Sequence, residues 1–191
     1  NVLANDSDVD GDTLSVTGAT VDPTKGTVTV NGDGTLNFTP TATASGAVVI
    51  TYTVSDGTTS TNGTLTVTVG ANTAPVADAV AVSGLEDAAS IVFNLSGSDA
   101  DAGGSIASAQ VTALPLASQG VLYLADGVTA VTTAMVLTPA QMVGLKFVPA
   151  ADYNGTVTIP YSVTDNAGLV STATANAVIT VTPVNDAPVT G

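Results

Sequence analysis

The stretch Asp6-Ser7-Asp8-Val9-Asp10-Gly11-Asp12 sets four carboxylates on alternate positions with a glycine after the third, and Ser98-Asp99-Ala100-Asp101 repeats part of the pattern farther along. Carboxylates this close repel one another unless something neutralises them. A hard cation such as Ca²⁺ does so, because it takes six to eight oxygen ligands at roughly 2.3–2.6 Å. The loop is not an EF-hand: Thr17 stands where the twelfth-position glutamate would fall, and a strand rather than a helix follows. The plainer alternative is a solvated acidic turn, since aspartate and glycine are ordinary turn residues.

Sixteen acidic residues against two lysines, with no arginine or histidine, give a formal net charge of −14. Nucleic acid and anionic membrane surfaces require clustered Lys or Arg, so neither is an expected partner. Cations are. No apolar run is long enough for membrane insertion. Cysteine is absent, which removes disulfides and thiolate metal sites and leaves bound metal as a candidate stabiliser. Without histidine or cysteine, only paired carboxylates could act in catalysis. Their clustering in turns favours metal cages over a cleft holding one desolvated, protonated acid, so no enzyme is expected.

The elements that must position these loops are strands. Hydrophobic residues make up 45% of the chain and they alternate, so a core can form despite the charge. Leu14–Thr17, Thr27–Val30, Thr35–Phe38, Val48–Val54 and Thr64–Val69 each show apolar side chains at period two, which predicts one buried and one wet face. Asn31-Gly32-Asp33-Gly34 between two of these runs is a hairpin signal. Leu36, Phe38, Pro40, Gly46, Ile50, Tyr52, Val54 and Asp56 recur, at one constant shift, as Leu145, Phe147, Pro149, Gly155, Ile159, Tyr161, Val163 and Asp165. Such a shift is the mark of an internal repeat. The predicted fold is therefore all-β: two tandem antiparallel β-sandwiches, residues 1–71 and 72–185, with 186–191 opening a next junction.

Pro75 and Pro188 mark the two junctions. The second unit carries an insertion within Val111 to Met142, where Thr138-Pro139-Ala140-Gln141 predicts a one- or two-turn helix with Thr138 as N-cap. The first unit lacks a counterpart to the opening strand expected at Ala79–Ser83. Truncation of a longer polypeptide is the expected cause, a bare sheet edge the consequence, and lower stability of that unit the result. The first residue already lies near a strand end, and no basic and apolar leader opens the chain.

Three motifs then become specific: residues Asn1 to Asp12, Tyr52-Thr53-Val54-Ser55-Asp56-Gly57, and Asn185-Asp186-Ala187-Pro188-Val189. Together they resemble bacterial cadherin-like repeats, related to VCBS-type repeats, of giant calcium-dependent RTX-type adhesins exported by type I secretion. The resemblance covers nearly the whole chain. It implies Ig-like sandwiches joined end to end at the bacterial cell surface, with Ca²⁺ at the poles and junctions. It further implies a rigid, monomeric extender for cell adhesion or biofilm formation, whose partners are neighbouring repeats of the same polypeptide. Cell-surface glycan or protein would be reached through other domains.

On that fold Asp6, Asp8, Asp10, Asp12 and Asp56 are expected at the leading pole of unit 1. Asp99, Asp101 and Asp165, with Asn166 and the junction residues Asn72 or Asp78, are expected at that of unit 2. Glu86, Asp87, Asp152, Asn185 and Asp186 should form the trailing pole of unit 2. Unit 1 has Thr41 to Ala44 where unit 2 has the acidic Ala151 to Asn154. Asp22, Asp33 and Asp126 read as structural turn residues, and Tyr52 and Tyr161 as core packing. The competing reading is a calcium-dependent glycan- or protein-binding module centred on the insertion. Seven aromatics and no tryptophan make a sugar-stacking platform hard to build.

Overall fold

Threonine and valine dominate the chain, and their β-branched side chains favour extended backbone. A computed structural model describes residues 2–187. Pro188 and Val189, and the junction they were expected to open, lie outside the described residues. The chain divides into two units, Asn1–Asn72 with Asp101–Gly103, and Thr73–Ala100 with Gly104–Gly191.

Unit 1 opens on a short 3₁₀ turn, Val2–Asn5, followed by β1 (Ser15–Val21), β2 (Gly26–Val30), β3 (Leu36–Pro40), β4 (Gly46–Ser55) and β5 (Ser60–Val69). Its sheets are β1-β4-β5 and the hairpin β2-β3. In that hairpin the Asn31 amide donates to the Thr35 carbonyl at 2.8 Å, and Gly34 takes the positive φ of 79°. Val48, Ile50, Tyr52 and Val54 alternate inward along β4 and form most of the buried core of this unit.

Unit 2 contains β6 (Val76–Ala77), β7 (Val80–Leu85), β8 (Ile91–Phe93), β9 (Gly97–Ser98), β10 (Ile106–Val111), β11 (Gly120–Tyr123), β12 (Leu145–Pro149), β13 (Gly155–Asp165) and β14 (Ala175–Thr182). One sheet runs β10-β13-β14-β7, another β11-β12-β8, and β6 pairs with β9. One pairing departs from the antiparallel expectation. β7, near the start of the unit, runs parallel to β14, its last strand. Among the described residues, eighteen buried apolar side chains form its core, including Leu122, Leu145, Phe147, Ile159, Tyr161 and Ile179.

The repeat survives in three dimensions. Gly46 faces Val69 and Ile50 faces Leu65, as Gly155 faces Val181 and Ile159 faces Ala177. Both units break register near the start of the strand after the acidic loop, between Val16 and Gly18 and between Ile106 and Ser108. Two expectations are corrected. Thr138 to Gln141 is a single turn rather than a helix: the Thr138 carbonyl accepts from Gln141 and Met142, and Gln141 Oε1 accepts from the Thr138 amide and hydroxyl. Only the glutamine half of a capping box is made, with no helix behind it, since Leu145 already begins β12. Among the described residues, unit 1 also has no counterpart of β6, β7, β8 or β9, where a single missing opening strand was expected.

Buried tyrosine hydroxyls need partners. Tyr161 donates to the carbonyls of Asp78 and Ser96, the latter at 2.8 Å, and accepts from the Ser96 amide at 3.3 Å. Among the described residues, its equivalent Tyr52 meets only the Asp6 carboxylate at 3.2 Å and the Val2 carbonyl at 3.5 Å. Tyr161→Phe is expected to destabilise unit 2 by about 1–3 kcal/mol, and Tyr52→Phe to cost unit 1 less than about 1 kcal/mol. Urea titration of both variants checks this, and equal losses would count against it.

Candidate functional site

Topology places the carboxylates. The start of β1 pairs with the end of β4, Ser15 opposite Ser55, so the loop before β1 and the turn after β4 share one end of unit 1. There Asp6, Asp8 and Asp56 line a cleft of about 320 Å³ together with Asn5, Thr59 and Asn62. Gly11, at φ 81°, lets the loop curl so that Asp8 Oδ1 accepts from the amides of Asp10 at 2.8 Å and Asp12 at 3.1 Å. Asp10 and Asp12 themselves are exposed and do not line the cleft. Asp56 Oδ1 accepts from the amides of Thr58 and Thr59, and Oδ2 from the Thr59 hydroxyl. The Thr59 amide and hydroxyl, then the Thr58 amide, hold its carboxyl down at about 2.

Unit 2 repeats the turn with a buried acid. Asp165 is 2% exposed, and its Oδ1 accepts from the amides of Ala167 at 2.9 Å and Leu169 at 2.8 Å. Asn166 is tied to Ser105, whose amide donates to its Oδ1 at 3.3 Å. Asp99 Oδ2 is buried, and Gly104 leaves the room for that carboxylate, since a Cβ on Gly104 would meet Asp99 Oδ1 at 2.4 Å. Asp78 stands apart from Asp99. It is opposite Ser96, whose hydroxyl it binds at 2.9 Å, three residues along the β6–β9 ladder, or roughly 10 Å by strand rise. Asp101 and Asn72 group with unit 1.

At the other end of unit 2, Gly155 faces Val181 and Thr182 faces Leu85, so three loops converge. Glu86 is buried there, its Oε1 accepting from the Val184 amide at 2.8 Å and its Oε2 from Asn154 Nδ2 at 3.2 Å. The Asp186 carboxyl is raised above its ordinary value, chiefly by the charge of Asp87, then by desolvation and by the charges of Asp152 and Glu86. Asp152 takes φ 58°, a left-handed conformation that aspartate tolerates better than most residues. Asn185 is exposed, its amide 3.4 Å from the Asp186 carbonyl.

The donor set is all oxygen, which suits a hard cation. Among the described residues, however, no three carboxylates close on a common point in a way that could hold a metal ion. The residues missed from sequence were Asn154, Thr59 and the hydroxyl of Tyr52. Tyrosine instead of phenylalanine at a buried strand position was the signal for the last.

Asp22, Asp33 and Asp126 cap their own turns. Asp22 is lowered chiefly by the Thr24 amide, Asp33 by the Thr35 hydroxyl and Asp126 by the Thr129 hydroxyl. A lowered folded-state value gives stability that is full above the unfolded value and lost as pH falls through the folded one. Melting temperature should therefore hold from about pH 7 to 5 and fall between about pH 4 and 2. The acid-side loss should be smaller in Asp126→Ala. A variant that keeps the full loss would contradict this.

Residues 72–182 match the bacterial Ig domain family, more than half of the chain. The chain belongs to the bacterial Ig domain family. Its first 70 residues match a second family, the cadherin-like domain. Bacterial Ig and cadherin-like domains are extracellular or surface adhesion-type modules, typically structural rather than enzymatic, and cadherin-like domains generally bind calcium. No helix among the described residues of this bacterial Ig chain is long and apolar enough to cross a membrane.

Among solved structures it is similar to cadherin domains 1–4 of protocadherin gamma B7, at 18% identity and TM-score 0.40, covering 90% of this chain and 43% of that one. It is also similar to human protocadherin-24 domains 1–2, at 15% identity and TM-score 0.41, covering 94% and 85% respectively. An endo-fucoidan hydrolase of glycoside hydrolase family 107 matches at 21% identity and TM-score 0.39, covering 92% of this chain and 24% of that one. No curated protein matches the chain.

Proposed function

We propose that this chain is a calcium-rigidified extender module of a bacterial cell-surface adhesin, spacing and stiffening the polypeptide for adhesion or biofilm formation. One observation carries the reading. Three loops that meet at one end of unit 2 carry four carboxylates, Glu86 and Asp87, Asp152, and Asp186, and there the charge of Asp87, then desolvation and the charges of Asp152 and Glu86, raise the Asp186 carboxyl. A divalent cation relieves that repulsion, and its binding free energy becomes folding and stiffening energy. Asn185 adds a carbonyl oxygen at this pole. Asp6, Asp8 and Asp56, extended by Asp10 and Asp12, would serve the cleft of unit 1, and Asp99 with Asp165 the equivalent end of unit 2. The partners are neighbouring repeats of the same secreted polypeptide, and the module is a monomer.

Melting and small-angle scattering with calcium and with a chelator test the reading. At a free calcium concentration a hundred times the dissociation constant, each site stabilises by about 2.7 kcal/mol, so calcium should raise the melting temperature and chelation lower it. Chelation should also loosen the scattering envelope. An unchanged melting temperature together with an unchanged envelope would overturn the proposal.

A further inference from the structure

Three asparagines are followed directly by glycine: Asn31, Asn62 and Asn154. That dipeptide carries a reaction of its own. The amide nitrogen of the following residue attacks the asparagine Cγ, a new C–N bond closes a succinimide ring, and the Cγ–Nδ2 bond breaks. The side-chain nitrogen leaves as ammonia, taking the proton of the attacking amide. Water then opens the ring at either carbonyl and gives aspartate or isoaspartate, the latter with one more carbon in the main chain. Glycine favours the attack because it has no Cβ and leaves the backbone free to turn. Nitrogen and Cγ must still come within bonding reach, so the fold around each pair decides which of them reacts.

Two of the three are locked. Asn62 lies within β5, where Gly63 is in register with Tyr52 and Asn62 with Thr53, whose hydroxyl donates to Asn62 Oδ1 at 3.0 Å. The Tyr52 ring covers Gly63 so closely that a Cβ there would meet it at 2.4 Å. Asn154 Nδ2 donates to Oε2 of the buried Glu86 at 3.2 Å, and Gly155 already opens β13 opposite Val181. At either place the ring can close only after strand pairs have opened.

Asn31 is different. Both it and Gly32 are exposed in the turn between β2 and β3, and Gly32 lies in neither strand. Among the described residues nothing accepts from the Gly32 amide, and a Cβ on Gly32 would meet nothing within 4 Å. The Asn31 side chain is held at the surface, by the bond from Nδ2 to Thr35 Oγ1 at 2.8 Å. We propose that Asn31-Gly32 is a self-modification site, at which the turn converts without an enzyme to aspartate and isoaspartate while Asn62 and Asn154 stay intact. The product alters the hairpin. Thr35 already gives its hydroxyl proton to Asp33 Oδ1 at 2.7 Å, so a carboxylate at position 31 finds no proton there and adds a second negative charge beside Asp33. In the isoaspartate the lengthened main chain also disturbs the closing bond from the Asn31 amide to the Thr35 carbonyl. The β2–β3 hairpin loosens as the chain ages.

The test ages the full chain at neutral pH and locates modified asparagine by peptide mapping with tandem mass spectrometry. In the folded chain Asn31 should deamidate about tenfold or more faster than Asn62 and Asn154, whereas in urea, with the ladders open, the three rates should agree within about threefold. Gly32→Ala should slow the reaction at Asn31 by about tenfold or more, because the added methyl hinders the attacking nitrogen. Amide hydrogen exchange in the aged chain should be faster at Val30 and Leu36, the pair nearest the turn. Equal rates at the three asparagines of the folded chain, faster reaction at Asn62 or Asn154, an undiminished rate in Gly32→Ala, or unchanged exchange at Val30 and Leu36 would each overturn the proposal.

Discussion

Gly120→Ala is expected to destabilise unit 2 by about 4 kcal/mol, on the sum of two costs of about 1–3 kcal/mol each: a backbone held where L side chains rarely sit, and an overpacked core. Gly120 takes φ 145°, and a Cβ there would meet the Val148 carbonyl oxygen at 2.3 Å and the Phe147 ring at 2.6 Å. Neither can yield cheaply, since Val148 is paired with Val121 in the β11–β12 ladder and Phe147 is fully buried. The same arrangement exists in unit 1, where Gly26 faces Pro40 as Gly120 faces Pro149, and its Cβ would meet Thr39 oxygen at 2.4 Å. Glycine here admits an aromatic ring beneath a strand. For a domain of this size such a loss lowers the melting temperature by roughly 15 °C. Gly18→Ala is the control, because nothing lies within 4 Å of its Cβ. Calorimetry showing equal shifts for the two variants would refute the argument.

What the sequence disclosed, and what it hid, divides along the same physical line. Period-two alternation and the constant repeat shift located the long strands, because each buries a full face: β4 and β13 carry their inward residues where Ile50, Tyr52, Ile159 and Tyr161 predict them. The short β6, β8 and β9 were not foreseen, since two or three residues show no period. The parallel partnership of β7 was equally hidden, because it joins residues about a hundred positions apart. At the loops, spacing predicted that carboxylates would gather, and Asp6, Asp8 and Asp56 do share a cleft. Spacing gave no warning that Asp56 and Asp165 bind their own turns through Thr58, Thr59, Ala167 and Leu169. That competition between a turn and a cation for the same oxygens is local geometry, which composition does not record.

Leu137→Ala is expected to cost unit 2 about 2–5 kcal/mol, although it lies in the insertion that the competing ligand-binding reading would enlist. Leu137 has no exposed surface, and its amide and carbonyl pair reciprocally with Ala109 at 2.8 and 3.0 Å. Ala109 belongs to β10, the edge strand of its sheet, so the insertion shields that edge while Val131, Leu137 and Met142 fill the core beneath. An edge covered in this way is protected from pairing with another chain. Val128→Ala, at a position 79% exposed in the same insertion, should change stability by less than about 0.5 kcal/mol. Deleting the insertion would therefore unfold unit 2 and abolish any ligand binding indirectly. Point substitutions at exposed positions keep the two readings apart: Val128→Ala and Leu116→Ala leave the fold intact, so a loss of glycan or protein binding in either would reveal a ligand surface. Urea titration of Leu137→Ala and Val128→Ala decides the structural role, and equal midpoints would sink it.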